Sequence, residues 1–324
     1  MLLASGALIV GIILLVFSAD KFVDGAAVTA KHFGLPPLLI GMLVIGFGSS
    51  VPEMIISGLS AIQGNPSLAL GNALGSHITN IALILGVTAI ISPIVVGSTV
   101  LRRELPLLML VTAFTALLFY YDGELDRIDG VLLILMFLLV MGWTIYAGLK
   151  TKRDHFGEMV EQELRDTIPI KQAVMYLVFG LIVLVISSRI MVWGGVEIAT
   201  RLGISDLIIG LTIVAIGTSL PELASCISAV RKNEHDLALG NVIGSNIFNT
   251  SIVIGIAGTI SPTMLEPDIL TRDVPVLIIL TMVLFMACYG FRTNGPGRIN
   301  RWEGILLVFG YVGYNIVLAL TVAS

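Results

Sequence analysis

The sequence predicts an all-α membrane protein, with ten transmembrane helices arranged as two inverted five-helix repeats and interrupted helices at the centre. Three observations predict it. The 324 residues are 56% hydrophobic and only 12% charged, against about 25% charged in an average soluble domain. Apolar runs of roughly 20 residues, each long enough to cross a hydrocarbon core of about 30 Å, recur along the whole chain. The two halves also repeat one another, residue i lying over residue i+169. Runs such as "LIVGIILLVF" and "VLLILMFLLV" do not alternate apolar and polar residues, which excludes the strands of a membrane barrel.

Five spans fall in the first half, at roughly 3–19, 37–62, 68–92, 105–121 and 129–149, and five in the second, at roughly 173–196, 206–230, 237–261, 274–291 and 303–322. The first run lacks the basic stretch and small-residue cleavage site of a signal peptide, so it reads as a retained span. Residues 150–172 form a short charged linker between a first repeat, 1–149, and a second, 173–324. That linker leaves no room for a cytosolic ion-sensing domain.

Lys and Arg in the connections set the orientation. Alternate connections, starting with the first, carry 14 of them: Lys21, Lys31, Arg102, Arg103, Lys150, Lys152, Arg153, Arg165, Lys171, Arg231, Lys232, Arg292, Arg298 and Arg301. The other connections carry three (Arg127, Arg201 and Arg272), and Arg189 falls within a span. The basic face is expected to be cytoplasmic, which puts both termini outside the cell membrane.

The repeat is sharpest at about 41–86 and about 210–255. "GMLVIGFGSSVPEMIISGLSAIQGNPSLALGNALGSHITNIALILG" lies over "GLTIVAIGTSLPELASCISAVRKNEHDLALGNVIGSNIFNTSIVIG" without a gap, with 15 identities in 46 pairs. Shared apolar composition gives chance Leu and Ile matches. It does not give Pro52/Pro221, Glu53/Glu222, Asn72/Asn241, Ser76/Ser245 and Asn80/Asn249 in one register. An odd number of spans per copy means that the second enters the membrane from the opposite side, and inverted repeats with broken helices are a common transporter build.

Each motif places a proline and a glutamate in an apolar run. Proline lacks an N–H and clashes with the carbonyl four residues earlier, here that of Gly48 or Gly217, which frees backbone oxygens. Such oxygens are tolerated at membrane depth only where they are buried in protein or line a polar cavity. An intramembrane carboxylate is expensive and by default functional. Ser49 and Ser50 stand four and three residues before Glu53, so the spacing predicts that hydroxyls and carboxylate share a face; Thr218, Ser219 and Glu222 repeat it. Asn72, Ser76 and Asn80, like Asn241, Ser245 and Asn249, line one face of the next helix, flanked by the packing glycines Gly71, Gly75, Gly240 and Gly244. Together the copies offer two carboxylates, carboxamides, six hydroxyls and several carbonyls. These are all oxygen donors, which suit a small hard cation rather than a soft metal.

Other residues read as structural. Cys226 and Cys288 are small core residues, His77 is a packing or hydrogen-bonding variant of Asn246, and Asp122, Glu124, Asp126 and Asp129 form a solvated outer face. Asp20 and Asp24 are placed at the inner interface.

The blocks "GSSVPE…LALGNALGSHITN" and "GTSLPE…LALGNVIGSNIFN" resemble the paired α-repeats of the cation/calcium exchanger superfamily, closest to its prokaryotic sodium/calcium exchanger branch. The resemblance implies an antiporter exchanging Ca²⁺ for Na⁺, with no cofactor, no nucleic acid and no obligate protein partner beside the surrounding lipid. It implies an ion site of Glu53, Ser49, Ser50, Ser76 and Asn80 with Glu222, Thr218, Ser219, Ser245 and Asn249, joined by the carbonyls of Gly46 and Ala215. It also implies that the first and sixth spans slide over a core of spans two, three, seven and eight. Asn249, Asp in some relatives, argues against potassium coupling. An exchanger using protons on the same carboxylates is the alternative; a cation channel would need no coupled ion, and the chain carries no Ser-His or metal-His constellation for an enzyme.

Overall fold

The computed structural model describes residues 2–33, 36–97, 100–155, 168–201, 215–289 and 297–323. Its helices are α1 (Leu2–Phe33), α2 (Leu38–Ser49), α3 (Val51–Ile62), α4 (Pro66–Ile91), α5 (Val100–Asp122) and α6 (Arg127–His155), followed by α7 (Ile170–Arg201), α8 (Ala215–Thr218), α9 (Leu220–Arg231), α10 (His235–Ile260), α11 (Ile269–Tyr289) and α12 (Arg301–Ala323). Among the described residues, eight helices are long and apolar enough to cross a membrane, and α2 and α3, which meet at a bend of 44°, are so only when taken together. The expected span 206–230 lies outside the described residues up to 214; α8 and α9 are its described part. The linker lies outside them between 156 and 167.

The first span runs further than its apolar run suggests. The sequence places Asp20, Lys21, Asp24 and Lys31 in a connection, yet α1 continues as helix to Phe33. Asp20, Asp24 and Lys21 each meet a partner from another helix. Ser228 Oγ donates to Asp20 Oδ1 at 2.5 Å, Lys232 Nζ to Asp24 Oδ1 at 2.9 Å, and Lys21 Nζ stands 4.9 Å over the Tyr176 ring. The sixth span is likewise longer, so that α1 and α7 each have 32 residues. At about 1.5 Å per residue each measures about 48 Å, well over the hydrocarbon thickness, and such helices accommodate by tilting. The two pack along one another, and the missing side chain of Gly180 lets the backbones approach: a Cβ there would sit 2.8 Å from Phe22 Cα.

Two short strand pairs tie the helix ends. Ile94–Val96 pairs antiparallel with Gly297–Ile299, with Ile94 opposite Ile299, and Glu124–Leu125 pairs antiparallel with Thr263–Met264. Each pair joins two connections that the charge pattern puts on one face of the membrane. Asp122 and Glu124 are exposed and Asp126 and Asp129 half-buried, and Asp122, Asp126 and Asp129 carboxylates accept backbone N–H groups.

α4 and α10 are the most enclosed long helices. α10 meets α2 at Gly240, where a Cβ would lie 2.5 Å from the Leu38 carbonyl oxygen. Both cysteines are buried and free, as expected of core residues. Overpacking costs about 1–3 kcal/mol where the neighbour is backbone. Gly240→Ala should therefore lower the thermal unfolding midpoint in detergent. Gly142→Ala, with open space around the new methyl, should leave it unchanged or raised, because alanine is the better helix former. Equal midpoints for the two variants would contradict this packing.

Candidate cation site

The interruption in each motif falls two residues before the proline. Ser50 (φ −84°, ψ 1°) separates α2 from α3, and Ser219 (φ −88°, ψ 6°) separates α8 from α9. Pro52 and Pro221 then stand in the first turn of the new helix, where a missing N–H costs nothing. Glu53 and Glu222 follow in the same turn, where the helix dipole favours a negative charge. Both glutamates are 0% exposed.

The break redirects the hydroxyls. By spacing, Ser49 and Ser50 should serve Glu53; across the break they serve the other copy. Ser50 Oγ donates to Glu222 Oε1 at 3.1 Å, and Ser219 Oγ donates to Glu53 Oε1 at 3.2 Å. Ser49 also stands by Glu222, and Thr218 by Glu53. Each carboxylate is held by hydroxyls from the opposite repeat, so neither half makes the site alone.

The following helices complete it. Ser245 Oγ lies 3.4 Å from both Glu222 Oε1 and the Gly46 carbonyl, which also accepts Ser50 N–H at 3.1 Å. The Gly46 oxygen therefore reaches the site without being free, while Ala215 opens α8. Asn80 and Asn249 lie where α4 and α10 pass from α to π winding, at Thr79–Leu85 and Asn249–Val253. A π turn adds a residue and marks many functional sites; here it occurs at the same place in both copies.

Asn72 and Asn241 position the carboxylates. Asn72 Nδ2 donates to the Glu53 carbonyl at 3.3 Å and to Ser57 Oγ at 3.0 Å; Asn241 Nδ2 donates to the Glu222 carbonyl and to Cys226 Sγ, both at 3.2 Å. Ser57 and Cys226 bond on to the carbonyls of Ala69 and Ala238. The same chain of contacts occurs twice, with serine replaced by cysteine. The register pairs Ser57 with Cys226, and that was the signal available in the sequence for Cys226 as more than filling.

Seven buried atoms at the site have no hydrogen-bond partner among the described residues: Glu53 Oε2, Glu222 Oε2, Ser76 Oγ, and both amide atoms of Asn80 and of Asn249. A buried polar atom left unpaired costs about 1–3 kcal/mol, and more when charged. Five of the seven are oxygens, and together in the two motifs they suit a ligand that accepts oxygen lone pairs. Among the described residues no three His, Cys, Asp or Glu cluster as for a transition metal, so the donors present are carboxylate, amide and hydroxyl oxygens, suited to Ca²⁺ or Na⁺. His77 stands apart: its Nε2 lies 3.1 Å from Thr281 Oγ1, whose proton goes to the Leu277 carbonyl at 2.8 Å. It joins α4 to α11, in keeping with a hydrogen-bonding role.

Fold and donors define a multi-span membrane protein around a buried, all-oxygen centre. The sodium/calcium exchanger protein family matches residues 3–146 and 172–320, and the chain belongs to it. It is 43% identical over 319 residues to the putative antiporter CaxA of Alkalimonas amylolytica, covering 98% of this chain and 99% of that one. It is 40% identical to inner membrane protein YrbG of Escherichia coli, covering 98% and 97%, and 31% identical to the sodium/calcium exchanger MaX1 of Methanosarcina acetivorans, covering 96% and 97%. Among solved structures it resembles the sodium-calcium exchanger NCX_Mj at 32% identity and a TM-score of 0.81, with 98% of each chain covered. The chain is thus a multi-pass membrane antiporter of the cation/calcium exchanger superfamily.

An orphaned amide kept for a ligand should lower the stability of the ion-free protein. Ca²⁺ should raise the thermal midpoint of the native protein, and Asn249→Leu should raise the midpoint in chelator by a few degrees and abolish that rise. A variant that melts lower in chelator and is still stabilised by Ca²⁺ would remove Asn249 from the donor set.

Proposed function

We propose that the chain exchanges Ca²⁺ for Na⁺ across the cell membrane by alternating access at one site built on Glu53 and Glu222. The observation that carries this reading is the crossed arrangement of two buried carboxylates, each with one satisfied and one orphaned oxygen. The ten-span reading, with repeats at 1–149 and 173–324 and the basic face cytoplasmic, gives the site two symmetry-related approaches. Ser49, Ser50, Ser76, Asn80 and the Gly46 carbonyl come from one repeat; Thr218, Ser219, Ser245, Asn249 and the Ala215 carbonyl come from the other.

The physical argument is charge balance. An empty site with both glutamates ionised carries two negative charges, and a desolvated ion costs several kcal/mol even after relaxation. One Ca²⁺ or two Na⁺ cancels that charge, so loaded forms reorient and the empty form does so rarely. Competition for the same oxygens then couples the two ions, whereas a channel would pass either one alone. Binding of a third Na⁺ would make reorientation carry net charge and respond to membrane voltage, at about 2.3 kcal/mol per elementary charge per 100 mV. The long helices α1 and α7 lie against each other and would slide as a pair over the central helices.

In proteoliposomes, an imposed Na⁺ gradient should drive ⁴⁵Ca²⁺ uptake, and neither a K⁺ nor a pH gradient alone should do so. Glu53→Gln and Glu222→Gln should each reduce that uptake to background while the protein elutes as the native species. Uptake driven by the pH gradient instead would replace Na⁺ by H⁺ in this reading, and near-normal exchange in both variants would remove the site.

A further inference from the structure

Arg189 occupies in α7 the position that Asp20 occupies in α1, and the two charges are met differently. Asp20 finds its partners inside the protein: Ser228 Oγ donates to its carboxylate at 2.5 Å and Lys232 Nζ to its carbonyl at 2.8 Å. Arg189 is exposed and makes no hydrogen bond or ion pair among the described residues. Glu197, two turns further along α7, is taken by Arg201, whose Nε donates to it at 2.7 Å. An arginine within a membrane span is expensive unless its head reaches the interface or an anionic partner.

Arg189 lines an open groove of about 480 Å³ together with Val185, Ile186, Ile190 and Trp193 of α7 and Ala7 of α1. The α7 positions recur at i, i+1, i+4, i+5 and i+8, so they form one face of that helix. α1 and α7 run antiparallel, with Gly25 against Leu177 and Gly180 against Phe22, which places the groove toward the N-terminal end of α1. Ile186 is 50% exposed and Trp193 48%. Lys171, which the charge pattern puts on the basic face, lies about 27 Å along α7 from Arg189, close to the hydrocarbon thickness of about 30 Å. Arg189 and Trp193 therefore stand near the headgroup level of the opposite face, where tryptophan and arginine anchor helices. Val185 and Ile186 lie on the bilayer side of the arginine.

We propose that this groove binds an anionic phospholipid of the leaflet opposite the basic face, its phosphate on the Arg189 guanidinium and an acyl chain along Val185, Ile186 and Ala7. A planar guanidinium matches phosphate oxygens bidentately. Among the described residues no carboxylate lines the groove, so a negative headgroup meets no opposing charge there, whereas a zwitterionic headgroup brings its own ammonium to compete for its phosphate. A soluble anion would use the arginine and not the apolar wall. A neighbouring helix would cover the wall and bury the arginine unless it carried an acid. A phospholipid meets both demands at once. Because α1 and α7 both contribute to the groove, the lipid touches both long helices. The proposal does not rest on the transport cycle above.

Fluorescence quenching by brominated lipids tests it, because Trp193 is part of the groove. Trp143 and Trp302 are exposed, so Trp143→Phe/Trp302→Phe leaves the full chain with Trp193 as its only tryptophan. With that protein in phosphatidylcholine bilayers, a small fraction of brominated phosphatidylglycerol should quench Trp193 as though enriched about fivefold over the same fraction of brominated phosphatidylcholine, the scale of one basic residue at an anionic surface. Adding Arg189→Gln should make the two lipids quench equally, and Arg189→Lys, which keeps the charge, should retain part of the preference. Equal quenching by both lipids with Arg189 present, or a preference that survives Arg189→Gln, would overturn the site. Quenching by neither lipid would put another protein chain over this face and would overturn it as well.

Discussion

Two carboxylates buried within a bilayer-sized helix bundle, each held by a hydroxyl from the other half of the chain, are the constraint on which the remaining structure depends. Ser50 bonds Glu222 and Ser219 bonds Glu53. That exchange requires α2 and α8 to stop one turn short of the glutamates, and it requires the two repeats to meet head to head. It also leaves Glu53 Oε2 and Glu222 Oε2 unpaired at the centre of the molecule. A fold evolved for stability alone would not keep two such oxygens beside two orphaned asparagines, because apolar replacements of similar size would be cheaper. The cost makes sense when a cation supplies the missing interaction.

The surroundings follow from that demand. Asn72 and Asn241 brace the backbone of the glutamates, and Asn80 and Asn249 stand in π turns of α4 and α10. Gly240 brings α10 against the backbone of α2. Farther out, α1 and α7 form a separate layer, joined to the core on the basic face by Lys232 with Asp20 and Asp24. The counterpart positions of those acids in α7 are Arg189 and Trp193, which cannot repeat this tie to a lysine.

Much of this was legible in the sequence, for identifiable reasons. Apolar length gave the membrane class, and the 169-residue register gave the paired glutamates, serines and asparagines, because those pairs cannot arise from shared hydrophobicity. What spacing could not give was direction. Counting Ser49 and Ser50 three and four residues before Glu53 assumes unbroken helix, and the break at Ser50 sends them to Glu222 instead. The same assumption hid the π turns. α1 runs past its apolar stretch because Ser228 and Lys232, in a segment more than 200 residues away, meet Asp20 and Asp24.

The central claim is that Ca²⁺ and Na⁺ compete for one set of oxygens between Glu53 and Glu222. Anomalous diffraction from crystals of this protein soaked in Sr²⁺, with and without excess Na⁺, tests it most directly. The account predicts a peak in contact with both glutamate carboxylates that fades as Na⁺ rises. A Sr²⁺ peak that touches neither glutamate, or one that Na⁺ leaves unchanged, would contradict it.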